Sequence, residues 1–189
     1  MNERELLVDC LKRLNAVGIP YMLTGSMACN MWGIPRSTHD LDVVVQLEPS
    51  HVAQLVRAFE NDYFIQESSV RSALQPPYQF NALDNHSAMK IDFWVLKSGE
   101  YERTSFARRM RFLIFNEKAW VSTAEDVILS KLRWNKIAAS ERQLQDVAGV
   151  WALQERTLDL SYLYHWADQL EVRENLERIM RGDISLKTT

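Results

Sequence analysis

Residues 3–17 carry Leu7, Cys10, Leu11, Leu14 and Val17 at three- and four-residue steps, the period of one helix face, and Gly18 and Pro20 supply the stop. The period then changes. Tyr21–Leu23 is a short apolar run that predicts a strand, and Ser26 opens a short helix through Ala28, Met31 and Trp32. After the loop Gly33-Ile34-Pro35-Arg36-Ser37-Thr38, a strand is expected over 40–46, headed by Asp40-Leu41-Asp42 and filled by Val43-Val44-Val45. Pro49 suits a first helical turn, and Val52, Leu55, Val56 and Phe59 mark the apolar face that follows. A short strand is expected over 63–65. Residues 68–75 fit neither period, and Pro76-Pro77 breaks whatever precedes it.

Tyr78–Leu83 and Met89–Leu96 read as two strands joined by Asp84-Asn85-His86-Ser87, a hairpin. Residues 100–109 read as a short helix, and 111–115 with 119–121 as a second hairpin around Asn116-Glu117-Lys118. From Ser122 onward the pattern is helical, with helices near 123–138, 141–154, 159–169 and 171–181. Thr123-x-x-Asp126 resembles a capping box at the start of the first. The change at Ser122 is the one candidate boundary. It divides a core over 1–121 from a helical lobe over 122–189 packed on that core.

Composition narrows the class. The chain has 189 residues, enough for one sizeable core, and its 47% hydrophobic and 25% charged content is ordinary for a soluble protein. No stretch approaches the roughly 18 apolar residues of a membrane span, and Met-Asn-Glu-Arg-Glu at the start lacks a signal-peptide core. Cys10 and Cys29 support neither a disulfide framework nor a zinc site, so the expectation is a cytoplasmic protein with reduced thiols. The net charge is −3, yet residues 97–142 hold ten Lys/Arg against six Asp/Glu. That local excess suits an anionic substrate, and equally suits ordinary solvated helix faces.

The candidate chemistry starts with Asp40 and Asp42. In a strand they face one way, and two like charges about 4 Å apart repel by roughly 4 kcal/mol at an effective dielectric near 20. Such a pair is neutralised by a divalent cation, by cationic side chains or by a proton. Asp92 is a third carboxylate, in the otherwise apolar Lys90-Ile91-Asp92-Phe93-Trp94-Val95-Leu96. Three aspartates on two strands of one sheet would make an all-oxygen site suited to Mg²⁺ or Mn²⁺; a turn-bonded or capping aspartate is the plainer alternative. Gly25-Ser26 after a strand could turn the backbone tightly and offer helix N–H groups and a hydroxyl to a phosphate, or be an ordinary turn with an N-cap. Neither a Walker sequence nor Gly-x-Gly-x-x-Gly is present. His39, between Thr38 and Asp40, would point away from both aspartates into packing, and His51, His86 and His165 share no ligand spacing.

Gly25-Ser26, thirteen residues, Asp40-Leu41-Asp42 heading a strand, and Asp92 on a later strand together resemble the DNA polymerase beta-type nucleotidyltransferase superfamily. Gly33-x-Pro-Arg36-x-Thr38-x-Asp40-x-Asp42 further resembles its AbiEii/AbiGii-like toxin branch, and the likeness covers about residues 1–150. The resemblance implies an α+β fold, a small mixed sheet flanked by helices with a mostly helical C-terminal portion. It implies transfer of a nucleoside monophosphate from an NTP to a hydroxyl. Asp126-Val-Ile-Leu-Ser-Lys131-Leu132 and Arg142-x-x-x-Asp146 fit two further elements of that branch, which implies a triphosphate-holding role for Lys131 and a functional role for Asp146. Read from the residues alone, Lys131 snorkels from an apolar stripe and Asp146 pairs with Arg142 on the surface.

The expectation is therefore an enzyme with Asp40, Asp42 and Asp92 holding Mg²⁺ or Mn²⁺, with Asp92 near the nucleophile. Gly25 and Ser26 would cradle phosphates, Lys131 and Arg36 would reach them, and Thr38 would bond the loop backbone. The acceptor could be RNA, a protein hydroxyl or a small molecule, and the toxin branch implies a cognate antitoxin as a candidate partner. The alternatives are a non-catalytic nucleotide- or partner-binding protein of the same fold, and a plain interaction module.

Overall fold

Strict alternation in one strand decides where the chemistry can sit. In β2 (Asp40–Val45) Leu41, Val43 and Val45 are buried, while Asp40, Asp42 and Val44 are half-buried. Side chains of a strand alternate between its faces, so the apolar set goes to the core and the aspartates to the opposite side. A computed structural model of the chain describes residues 1–38 and 40–184. It forms two compact units, one of residues 1–27 and 37–122, the other of residues 28–36 with the chain from Thr123 onward.

The first unit is a seven-stranded mixed sheet with helices. Helix α1 (Glu3–Val17) opens with a complete capping box, Asn2 accepting from the Glu5 backbone N–H and Glu5 reaching back. It leads to β1 (Tyr21–Leu23), and then α2 (Gly25–Trp32) begins; only its first turn belongs to this unit. Next come β2, a 3₁₀ turn at Pro49–His51, α3 (Val52–Phe59), β3 (Tyr63–Phe64), α4 (Glu67–Ser72), β4 (Gln79–Asp84) and β5 (Lys90–Val95). The unit closes with α5 (Glu100–Arg108), β6 (Met110–Ile114) and β7 (Glu117–Val121). The strand order is β3-β4-β5-β2-β1-β7-β6. β2 runs parallel to β5 and β1 parallel to β7, and the other pairings are antiparallel.

Both expected hairpins are present, β4–β5 and β6–β7. Helix α4 lies where the pattern was ambiguous, and the reason is visible. Only Val70 of that helix is buried, so it has no apolar stripe to read, and an exposed Arg71–Glu67 pair spans its turn. On the core face of the sheet, Phe93 is fully buried, stacked on Phe80 with centroids 4.9 Å apart and edge-on to Phe59 of α3 at 5.5 Å.

The second unit is helical: α6 (Ala124–Ile137), α7 (Glu141–Gln154), α8 (Leu160–Gln169) and α9 (Arg173–Met180), with α6 packed on α7 and α8, and α9 on α7 and α8. Thr123 caps α6 by accepting from the Asp126 backbone N–H, and the Tyr162 hydroxyl donates to the Asp126 carboxylate at 2.7 Å. This unit also holds residues 28–36, the end of α2 and the loop after it, which the sequence pattern placed with the sheet. Gly33 explains the attachment: a Cβ there would lie 2.9 Å from Val150 Cγ2 and 3.0 Å from its backbone nitrogen, so only glycine permits the loop to lie flat on α7. The α+β architecture, with a mixed sheet, flanking helices and a helical C-terminal part, is what the resemblance implied. No helix among the described residues is long and apolar enough to cross a membrane.

Phe93→Ala should lower the unfolding free energy by about 3–4 kcal/mol in urea titrations, because it empties a buried aromatic cluster. Leu83→Ala, at a half-exposed position, should change it by less than about 1 kcal/mol.

Candidate functional site

The sheet unit gathers three carboxylates by register. β2 and β5 align Asp40 with Lys90 and Asp42 with Asp92, so Asp40, Asp42, Lys90 and Asp92 share one face. Trp94, two residues beyond Asp92, shares it as well, and its indole Nε1–H donates to Asp42 Oδ1 at 3.3 Å. From β4, Asn81 stands opposite Asp92. With its amide oriented to satisfy its neighbours, its nitrogen donates to Asp92 Oδ1 at 3.1 Å.

A lysine supplies a cation on this face. Lys90 Nζ lies 2.8 Å from Asp92 Oδ2 and 3.5 Å from Asp40 Oδ1. The Asp92 hydrogen bond, foremost, holds the Lys90 ammonium above its ordinary value against the opposing effect of burial. Asp92 is 7% exposed and is thus a buried carboxylate with both oxygens engaged. A cationic side chain is one of the three ways to neutralise such aspartates, and Lys90 supplies it.

Gly25 starts α2 with φ +58, a left-handed conformation that favours glycine. A Cβ at Gly25 would lie 2.0 Å from Asp42 Oδ2, so no other residue leaves room for that carboxylate. The end of β1 is tied to the same place by Thr24 N–H donating to the Asp42 carbonyl at 3.0 Å. Ser26 follows Gly25 in the first turn of α2, half-buried. Thr38, at the end of the loop, bonds the first residue of β2, its hydroxyl donating to the Asp40 carbonyl at 3.2 Å. His39 lies outside the described residues.

The oxygen-only donor set of Asp40, Asp42 and Asp92 suits a hard divalent cation. Among the described residues no group of three His, Cys, Asp or Glu side chains converges closely enough to hold one. The point between Asp40 and Asp92 is taken by the Lys90 ammonium. The residues thus fit a divalent cation in chemical type, and Lys90 Nζ lies between two of them. Lys90, Trp94 and Asn81 were not singled out from the sequence. Lys90 was legible in principle, since Lys90-x-Asp92 is the same-face spacing already used for Asp40-x-Asp42.

The helical unit brings together Arg36, Lys131 and Asp146. Arg36 Nε donates to Asp146 Oδ1 and its Nη2 to Oδ2, both at 2.9 Å, a bidentate clamp. Lys131 Nζ, on α6, donates to the same Oδ2 at 2.6 Å. Lys131 and Asp146 are 7% and 8% exposed. Neither plainer reading holds: Lys131 does not snorkel to water, and Asp146 is a buried carboxylate bonded by Arg36 and Lys131. Asn30 positions Arg36 from the same unit, its amide donating to the Arg36 carbonyl at 2.6 Å and its carbonyl accepting the Arg36 N–H at 3.0 Å. Burial pushes the Asp146 carboxyl up, but the hydrogen bonds from Arg36 and Lys131 outweigh it and hold Asp146 below the usual carboxylate range. Beside this cluster, burial pushes the Cys29 thiol up to about 11, which leaves it an unreactive core residue.

No family model matches the chain, and no curated protein matches it in sequence. Solved structures do match. An antigenic nucleotidyltransferase-like protein from Paracoccidioides brasiliensis superposes with TM-score 0.57 at 14% identity, over 98% of this chain and 94% of that one. The antibiotic-resistance factor ANT(2'')-Ia gives TM-score 0.63 at 11% identity, over 96% and 97%. The lincosamide antibiotic adenylyltransferase LnuA, bound to lincomycin, gives 0.56 at 10% identity, over 81% and 98%. The fold is thus nucleotidyltransferase-like.

A carboxylate whose folded pKa is depressed stabilises above its unfolded pKa and loses that contribution as pH falls through the folded value. Thermal melts of the wild type should therefore lose stability below about pH 4 in part through Asp146, and Asp146→Asn should flatten that part of the profile. Asp146→Ala should cost about 3 kcal/mol near neutral pH by stranding two cations.

Proposed function

We propose that the protein is a metal-dependent nucleotidyltransferase, moving a nucleoside monophosphate from an NTP to an acceptor hydroxyl. The observation that carries the reading is the in-register pair Asp42 and Asp92 on parallel strands, with Asp40 beside them and Gly25 pressed against Asp42. The stability of a sheet gives no reason to gather three carboxylates on one face, and the glycine at Gly25 leaves room for the Asp42 carboxylate. The nucleotidyltransferase-like fold supports the same reading.

In this reading Asp40, Asp42 and Asp92 would hold Mg²⁺ or Mn²⁺, whose charge would offset that building on the phosphates during in-line displacement. Asp92 would orient the acceptor hydroxyl and take up its proton as the new bond to the α-phosphorus forms and pyrophosphate leaves. Gly25 and Ser26, at the start of a helix, would offer backbone N–H groups and a hydroxyl to phosphate oxygens. Thr38 holds the backbone at Asp40. In the helical unit, Arg36 and Lys131 with Asp146 carry one net positive charge, which suits an anionic ligand, and Asp146 positions both cations. The acceptor stays within the three classes of RNA, protein and small molecule; the lincosamide and ANT(2'')-Ia enzymes favour testing antibiotics among the last. The toxin-branch pattern Gly33-x-Pro-Arg36-x-Thr38 keeps a toxin with a cognate antitoxin within the proposal.

One observation favours the second reading, a non-catalytic nucleotide binder: Lys90 fills the cation position between Asp40 and Asp92. The two are separated by incubating purified protein with each labelled NTP, Mg²⁺ and a panel of total RNA, cell lysate and aminoglycoside and lincosamide antibiotics. Transfer of label is expected, and Asp42→Asn should lower it by at least about a hundredfold with an unchanged circular-dichroism spectrum. Mg²⁺-dependent nucleotide binding without transfer to any acceptor would establish the binder instead.

A further inference from the structure

Resting on the metal–nucleotide reading, we infer that Lys90 is a built-in counter-ion that holds the cation position and must give it up when a divalent cation enters. The lysine is placed for this by two independent constraints. Its spacing from Asp92 puts both on one face of β5, and the β2–β5 register sets it opposite Asp40. Its ammonium touches Asp92 at 2.8 Å and Asp40 at 3.5 Å, bridging the two carboxylates as a divalent ion would.

Two cations cannot share that point. A dication a few ångströms from an ammonium is strongly repelled, so the lysine must swing aside for metal to bind. The stem permits it, since the Lys90 side chain is 35% exposed. Asp92 is less free, held also by Asn81 from β4. The exchange is therefore a movement of Lys90 with the carboxylates staying in place. An ammonium released from two carboxylates needs another anion, and a triphosphate arriving with the metal supplies one. Metal alone should bind weakly, because displacement leaves Lys90 unpaired; metal with nucleotide should bind well. Lys90 thereby makes occupancy of the aspartates depend on nucleotide, and no site assigned above gives it that role.

The test measures Mn²⁺ binding by electron paramagnetic resonance to wild type, Lys90→Met and Lys90→Arg, each with and without a non-hydrolysable ATP analogue. Without the analogue, Lys90→Met should bind Mn²⁺ about tenfold or more tightly than wild type, and Lys90→Arg within about twofold of wild type. Adding the analogue should tighten wild-type binding far more than that of Lys90→Met. Equal or weaker Mn²⁺ binding by Lys90→Met overturns the role of the lysine while leaving the metal–nucleotide reading intact. No Mn²⁺ binding by any form, with or without analogue, overturns that reading and this inference together. Thermal unfolding keeps the test readable if Lys90→Met is fragile. In EDTA it should melt below wild type and recover with Mg²⁺ by more than wild type gains; a gain no larger than that of wild type counts against the inference.

Discussion

Three carboxylates turned the same way on neighbouring parallel strands are the constraint from which the sheet unit follows. Their mutual repulsion would be relieved by slipping β2 one residue against β5, but that slip would carry Leu41, Val43 and Val45 out of the core and the aspartates into it. Burial of the apolar face therefore locks the carboxylates together. What surrounds them answers to that lock. Lys90 spans two of them, Asn81 and Trp94 take up oxygens from either side, and Gly25 stays bare so that Asp42 has space.

The helical unit handles charge in the opposite way. Asp146 is one buried carboxylate between two cations, bonded to both, and removing it leaves two cations without their common anion. The sheet cluster has an excess of anions, with Asp92 buried and Asp40, Asp42 and Lys90 half-buried. The first arrangement fixes the loop at Arg36; the second leaves three carboxylates sharing one lysine.

The elements were legible where their periods are clean: α1, α3 and β2 each show one apolar face, and Gly and Pro mark the ends. Helix α4 was not, because Val70 alone anchors it. Asp40, Asp42 and Asp92 could be picked out by period-two spacing and by a charge set among apolar residues. Their partners could not, because Asn81 meets Asp92 only through strand register, which a single sequence does not state. Arg36 and Asp146 were each marked as candidates, yet 110 residues separate them and nothing local joins them. The same blindness placed residues 28–36 with the sheet: their attachment to α7 depends on Gly33 meeting Val150, a contact with no local signature.

That loop has a consequence for how the chain can be divided. The backbone leaves the sheet unit after Met27, returns at Ser37 and leaves again after Ser122. The helical unit is thus stitched from two distant stretches, and its Arg36–Asp146 clamp draws one strand of the stitch from each. No single cut, fusion point or recombination event separates the two units whole. A fragment ending at Ser122 strands Arg36 and Gly33, and a fragment starting at Thr123 leaves Asp146 without its guanidinium. The pair can be inherited or exchanged only as one piece.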